Sequence, residues 1–145
     1  MGTKKIKEIM TKNFATVTLK DNVYEVAVKM KQEDTGFIPV VEGSRLIGVI
    51  TDRDLVIRGL AEKKEGSTAI KDVMSSNQII SATLDTTVDE AAKLMAKQQI
   101  RRLPVVDNDN LVGIISIGDL AVRQNFEDEA GEALSQISEK HKIKN

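Results

Sequence analysis

The sequence contains no cysteine. Disulfides, thiolate zinc sites, Fe–S clusters and cysteine nucleophiles are thereby excluded. Its one histidine, His141, stands among lysines five residues from the end. A histidine-based metal cluster is ruled out, and a Ser–His–Asp triad has no support. Aromatics are scarce, with three Phe, one Tyr and no Trp, so ring stacking is a poor candidate for holding a ligand. No surplus of either charge exists: 21 Lys plus Arg face 22 Asp plus Glu. That balance argues against a general nucleic-acid binder. No apolar run approaches the roughly 20 residues that span a bilayer. The start, MGTKKIKEIM, is basic but lacks the apolar stretch of a signal peptide, so a cytoplasmic protein without a membrane partner is expected.

What remains is globular. Hydrophobic residues make up 41% of the 145 residues and charged ones 30%, enough to build a core. The dominant feature is an internal repeat. Ile6-Lys7-Glu8-Ile9-Met10 recurs as Ile70-Lys71-Asp72-Val73-Met74, at an offset of 64. From Leu19, matched by Leu84, the offset is 65. Pro39-Val40-Val41 then matches Pro104-Val105-Val106, and Leu46–Thr51 matches Leu111–Ser116. Asp54-Leu55 matches Asp119-Leu120, and both prolines of the chain share one repeat position.

Each repeat reads as β-α-β-β-α. Ala15–Leu19 alternates in the manner of a strand. Asn22 and Thr87 are N-cap residues, with Glu25 and Glu90 three positions on, which is a capping-box pattern. Behind them Val23, Val26, Ala27 and Met30, or Val88, Ala91, Ala92 and Met95, form an apolar helical face. The runs Phe37–Val41 and Leu103–Val106 predict strands, with proline near the start where a strand tolerates it. Glu42-Gly43-Ser44 and Asn108-Asp109-Asn110 are turns, so the following strands return as hairpins. A second helix carries Leu55, Val56 and Ile57, or Leu120, Ala121 and Val122. The expected fold class is α/β (α+β). Its two units occupy 6–61 and 70–125, joined by a polar linker at 62–69. A short amphipathic C-terminal helix with its tail, containing Ala130, Ala133, Leu134 and Ile137, fills 126–145. One unit of this size buries too little surface to stand comfortably alone, and a pair sharing apolar faces remedies that. Phe14 and Phe37 are read as core.

The segment ending each hairpin carries the chemistry: Gly48-Val49-Ile50-Thr51-Asp52-Arg53-Asp54 and Gly113-Ile114-Ile115-Ser116-Ile117-Gly118-Asp119. Glycine inside a strand permits close backbone approach. The Thr51 or Ser116 hydroxyl stands where a strand becomes a helix, a place that favours an anion. One turn on, the carboxylate of Asp54 or Asp119 can accept hydrogen bonds from a vicinal diol. A bland reading stands beside this one, in which these residues only cap the helix. Arg101-Arg102 in the second repeat corresponds to Gly36-Phe37 in the first. Two cations ahead of a buried strand need an anionic partner or solvent. Arg53 suits a salt bridge as well as a phosphate.

These duplicated heptads and the paired Pro-Val-Val strands resemble a tandem CBS-domain pair, or Bateman module, over roughly 6–123. The chain is also similar to short stand-alone bacterial CBS proteins. The resemblance implies two β-α-β-β-α units packed as a pseudo-symmetric pair, with adenine nucleotide of AMP or ATP type bound in the clefts between them as a regulatory ligand. It implies one cleft formed by Ser116 and Asp119 with Ala15, Thr35 and Gly36. The other would use Thr51 and Asp54 with Ile80, Ser81, Ile100 and Arg101, and Arg102 would reach phosphate. It further implies a homodimer formed through helical faces (Val26, Met30, Val56, Leu60; Met95, Leu120), whose conformation or regulated partner protein responds to ligand. No catalysis and no catalytic cofactor are expected, since no nucleophile, base and oxyanion site converge. The alternative is a non-catalytic scaffold whose pockets are vestigial.

Overall fold

A computed structural model describes residues 4–77 and 79–121. The expected C-terminal helix and tail, together with Val122 and His141, lie outside the described residues. The chain divides into two compact units, and neither is continuous in sequence. The first-repeat unit takes in residues 14–79 and the turn residues 109–111. The second-repeat unit takes, among the described residues, 4–13, 80–108 and 112–121.

In the first-repeat unit, helix α1 (Val23–Glu33) leads to strand β1 (Phe37–Glu42), strand β2 (Arg45–Thr51) and the short helix α2 (Asp52–Asp54). The expected capping box opens α1. The Glu25 N–H donates to Asn22 Oδ1 (2.8 Å), and the Asn22 N–H donates to Glu25 Oε1 (2.9 Å). Strands β1 and β2 pair antiparallel. Val26, Met30, Ile38, Val40 and Ile50 form the core with Val17, Ile70 and Val73.

The second-repeat unit repeats the plan with strand β3 (Ala82–Thr83), helix α3 (Val88–Gln98), strand β4 (Arg102–Asp107), strand β5 (Asn110–Ser116) and helix α4 (Ile117–Ala121). Strands β3 and β4 run parallel, and β5 neighbours β4. Its core gathers Val88, Ala91, Ala92, Met95, Leu103, Val105, Ile115 and Leu120 around Ile6. Both long helices end on a left-handed residue at matched repeat positions, Asp34 (φ 52°) and Gln99 (φ 56°).

Each core is thus completed by a short segment of the other repeat's sequence. Ile6, in a 3₁₀ turn (Ile6–Glu8), is fully buried in the second-repeat core, and its N–H donates to the Thr86 carbonyl (2.9 Å). Ile70, in the matching turn (Ile70–Asp72), is fully buried in the first-repeat core. These exchanged segments also explain the strand glycines. A Cβ on Gly48 would lie 2.9 Å from the Ser75 carbonyl oxygen, and Val49 and Ser75 exchange two 2.9 Å backbone hydrogen bonds. A Cβ on Gly113 would lie 2.8 Å from Met10 Cγ, beside the equivalent Thr11–Ile114 pair. The close partner of each glycine is therefore the chain itself. Gly48→Ala is expected to destabilise the protein by about 1–3 kcal/mol, because a doubly bonded backbone must shift. Gly113→Ala is expected to be milder, because a methionine side chain can repack. Urea midpoints of the two variants check that order.

Several sequence expectations need correction. Ala15–Leu19 is not a strand: only Val17 bridges Val40, and Leu19 lies 40% exposed. Ala27 is exposed, so the apolar face of α1 is narrower than that of α3, where all four expected residues are buried. Phe14 and Phe37 are only half-buried; Phe37 opens β1 opposite Thr51, at the end of the ladder. The second helix of the first repeat is not one regular α-helix. After α2 it continues as a π-turn (Leu55–Gly59) and a 3₁₀ turn (Leu60–Glu62). Of the residues expected on a dimer face, Val26, Met30, Met95 and Leu120 are core, because that side of each helix packs inside its own unit. Val56 and Leu60 are exposed, at 52% and 74%, and Ile57 beside them at 50%.

Candidate functional site

Each hairpin ends in a reciprocal box. The Asp54 N–H donates to Thr51 Oγ1 (3.1 Å), and the Thr51 N–H donates to Asp54 Oδ2 (2.9 Å). In the second repeat, the Asp119 N–H donates to Ser116 Oγ (3.1 Å), and the Ser116 N–H donates to Asp119 Oδ2 (2.9 Å). The capping role is therefore real in both copies. It does not exhaust the groups. A carboxylate has two oxygens, and Oδ1 of Asp54 and of Asp119 makes no hydrogen bond among the described residues. All four box residues are half-buried, reached by solvent yet held in one orientation.

The residues ahead of each hairpin are tied to the box of their own repeat. The Asp52 N–H donates to the Gly36 carbonyl (2.9 Å), and the Ile117 N–H donates to the Arg101 carbonyl (3.0 Å). Gly36 is thus brought to Thr51 and Asp52, and Arg101 to Ser116 and Ile117, each beside the box of its own repeat, whereas the resemblance pairs Gly36 with Ser116 and Asp119 and Arg101 with Thr51 and Asp54. Thr35 Oγ1 accepts from the Phe37 N–H (3.2 Å), shaping the approach to β1. Arg101 is exposed, and solvent access is what makes its position affordable, while Arg102, the first residue of β4, is half-buried. Ile80 and Ile100 pack against the second-repeat core, so packing already accounts for their apolar character. Ala15 and Ser81 are half-buried.

Three residues of the first repeat's helical end escape a reading by motif. Arg58 Nη1 donates to the Met74 carbonyl (3.1 Å), and Lys64 Nζ donates to the Asp72 carbonyl (3.1 Å). Arg58 reaches out from the π-turn behind the first box and Lys64 from just beyond the 3₁₀ turn, and both hold the exchanged segment around 72–74. Asp52 is the third, its carboxylate lying directly over Gly36. Among the described residues no cluster of His, Cys, Asp and Glu could hold a metal ion. No helix there is long and apolar enough to cross a membrane.

The Glu90 side of the α3 capping box is electrostatically distinct. Its carboxylate accepts the Thr87 N–H (2.9 Å), and hydrogen bonds from the Thr87 backbone and side chain, helped by nearby Lys5, hold its pKa below the ordinary 4.5. A carboxyl depressed on folding adds stability that is complete above its unfolded value and lost as pH falls through the folded one. Acidification below about pH 5 is therefore expected to loosen α3. Thr87→Ala should move the Glu90 titration upward, as NMR of the side-chain carboxyl would record.

A duplicated α+β unit with the same hydroxyl–carboxylate box in each copy defines a tandem-repeat module. The comparisons give it a family: the profile of the CBS domain matches residues 6–59 and 70–124, and the chain belongs to that family. It is 49% identical over 137 residues to the uncharacterized protein YlbB of Bacillus subtilis, covering 93% of this chain and 92% of that one. Its structure is similar to a crystal structure of Hypoxic Response Protein I with two coordinated zinc ions, with TM-score 0.75 and 30% identity, covering 82% of this chain and 98% of that one. The fold is also similar to that of the CBS domain protein PAE2072 from Pyrobaculum aerophilum complexed with AMP, with TM-score 0.77 and 23% identity, covering 88% and 98% respectively.

Proposed function

We propose that the chain is a non-catalytic, ligand-sensing regulatory module that binds an adenine nucleotide through its two boxes. One observation carries the reading. Both repeats hold a half-buried aspartate fixed through one oxygen and open at the other, which suits a ribose diol. The AMP held by PAE2072, a protein of the same fold, supports the choice of ligand class. Regulation requires that the ligand favour one of two states of the module or of its partner. A thermal-shift panel of adenosine, AMP, ADP, ATP and S-adenosylmethionine tests the reading. A ligand at about 100 times its Kd should add roughly 2.7 kcal/mol of stability. No shift with any of them would turn the reading toward a scaffold that acts through its surfaces.

That second reading has its own support in the exposed Val56, Ile57 and Leu60 along one helical run. Apolar side chains clustered at a surface mark interfaces. We expect a homodimer that covers them, with light scattering giving twice the chain mass. A monomer mass at micromolar concentration would remove it.

A further inference from the structure

We infer that Asp52 is a charge-selecting residue that sets the first-repeat box against phosphate-rich ligands, while the second-repeat box accepts them. The inference deepens the nucleotide-binding reading above and rests on it.

The two boxes are matched in backbone and opposed in charge. In each, the residue ahead of the hairpin accepts a hydrogen bond from the residue just after the box hydroxyl: Gly36 from Asp52, Arg101 from Ile117. At that shared place the side chains exchange roles. In the second repeat the later residue, Ile117, turns into the core at 5% exposure, and Arg101 carries the outward side chain. In the first repeat the earlier residue has no side chain, and the later one fills the space. A Cβ on Gly36 would lie 2.6 Å from Asp52 Oδ2 and 2.8 Å from its Cγ, so the carboxylate rests where a side chain at 36 would begin. The Arg53 N–H donates to Asp52 Oδ1 (2.8 Å), which holds the carboxylate against its own turn. Asp52 is exposed and takes part in no ion pair among the described residues. An anion therefore occupies the place of a cation.

The formal charges follow. Over matched positions, Gly36, Asp52, Arg53 and Asp54 sum to −1 in the first repeat, and Arg101, Ile117, Gly118 and Asp119 sum to 0 in the second. A nucleoside carries no charge to meet either field. Each added phosphate does, so the first-repeat box favours the nucleoside end and the second accepts the polyphosphate.

The test is calorimetric titration of the full chain at low salt with adenosine, AMP and ATP, for the parent, Asp52→Asn, Asp52→Ala and Arg101→Ala. Both Asp52 variants should raise the ratio of ATP to adenosine affinity by about three- to tenfold, the scale of one nearby charge in water. Adenosine affinity should stay within about twofold. Arg101→Ala should move the ratio the opposite way, and raised salt should shrink both effects. The exposed position of Asp52 should leave the melting temperature near the parent's. An unchanged ratio in both Asp52 variants, or equal changes for adenosine and ATP, would overturn the inference and leave nucleotide binding standing. Absence of binding by every ligand to every protein would overturn the nucleotide reading and this inference with it.

Discussion

Ile6→Ala is expected to destabilise the second-repeat unit by about 2–5 kcal/mol, the range for emptying a buried aliphatic site. Ile6 is fully buried among Val88, Ala91, Met95 and Leu103, although its sequence belongs to the first repeat. The neighbouring backbone is committed there too, since the Val88 N–H donates to the Lys4 carbonyl (2.8 Å) and the Thr11 N–H to the Ile114 carbonyl (2.8 Å). Hydrogen exchange locates the damage. Amides of α3 should lose protection in Ile6→Ala, while those of α1 keep it. Ile70→Ala should do the reverse, because Ile70 closes the core around Val26 and Ile38. Loss of α1 protection in Ile6→Ala would mean that each repeat folds on its own segment.

Asp119→Ala is expected to weaken nucleotide binding by ~1.5–3 kcal/mol, the scale of a hydrogen bond to a charged group. The loss should be nearly the same for adenosine as for AMP, because the carboxylate meets the ribose. That separates it from Arg101→Ala, whose effect should vanish with adenosine. Removing Asp119 also takes the acceptor from the Ser116 N–H, so some stability goes with it. Asp119→Asn retains an acceptor for that N–H but loses the charge and should fall between the two. Asp54→Ala should act in the same way through the other box. Calorimetry beside a urea titration separates binding from capping. Parent-like affinity in well-folded Asp54→Ala and Asp119→Ala would end the ribose role.

The repeat, the order of elements and the helix starts were legible because each depends on residues close in sequence. Asn22 with Glu25, and Thr87 with Glu90, form the boxes that their spacing implies. The hairpin turns were legible as well, Asn108 and Asp109 taking the positive φ values (51° and 68°) that such residues tolerate. The strand expected at Ala15–Leu19 failed because alternation says nothing about whether a neighbour is available along its length. Thr51 with Asp54 and Ser116 with Asp119 could be paired on spacing alone. Asp52 could not be assigned, because its meaning lies in its packing over Gly36, which is a matter of space. The destination of Ile6 and Ile70 was equally hidden. A recurring motif reports that two segments are equivalent, and carries no information about which core receives each.

That exchange also fixes an order of events during synthesis. The buried residues of the first-repeat core end at Val73, with Met74 packed beside them, so this core can close while the ribosome is still making most of the second repeat. Ile6 is made before any of the second repeat, yet its pocket is complete only when Leu120 has been added. Until then it waits as an exposed aliphatic side chain. The bridge from Thr11 to Ile114 spans 103 residues (114 − 11), a separation that slows folding by the loop it must close. Once the Ile70 turn is in place, its site in the first-repeat core is filled and closed to Ile6.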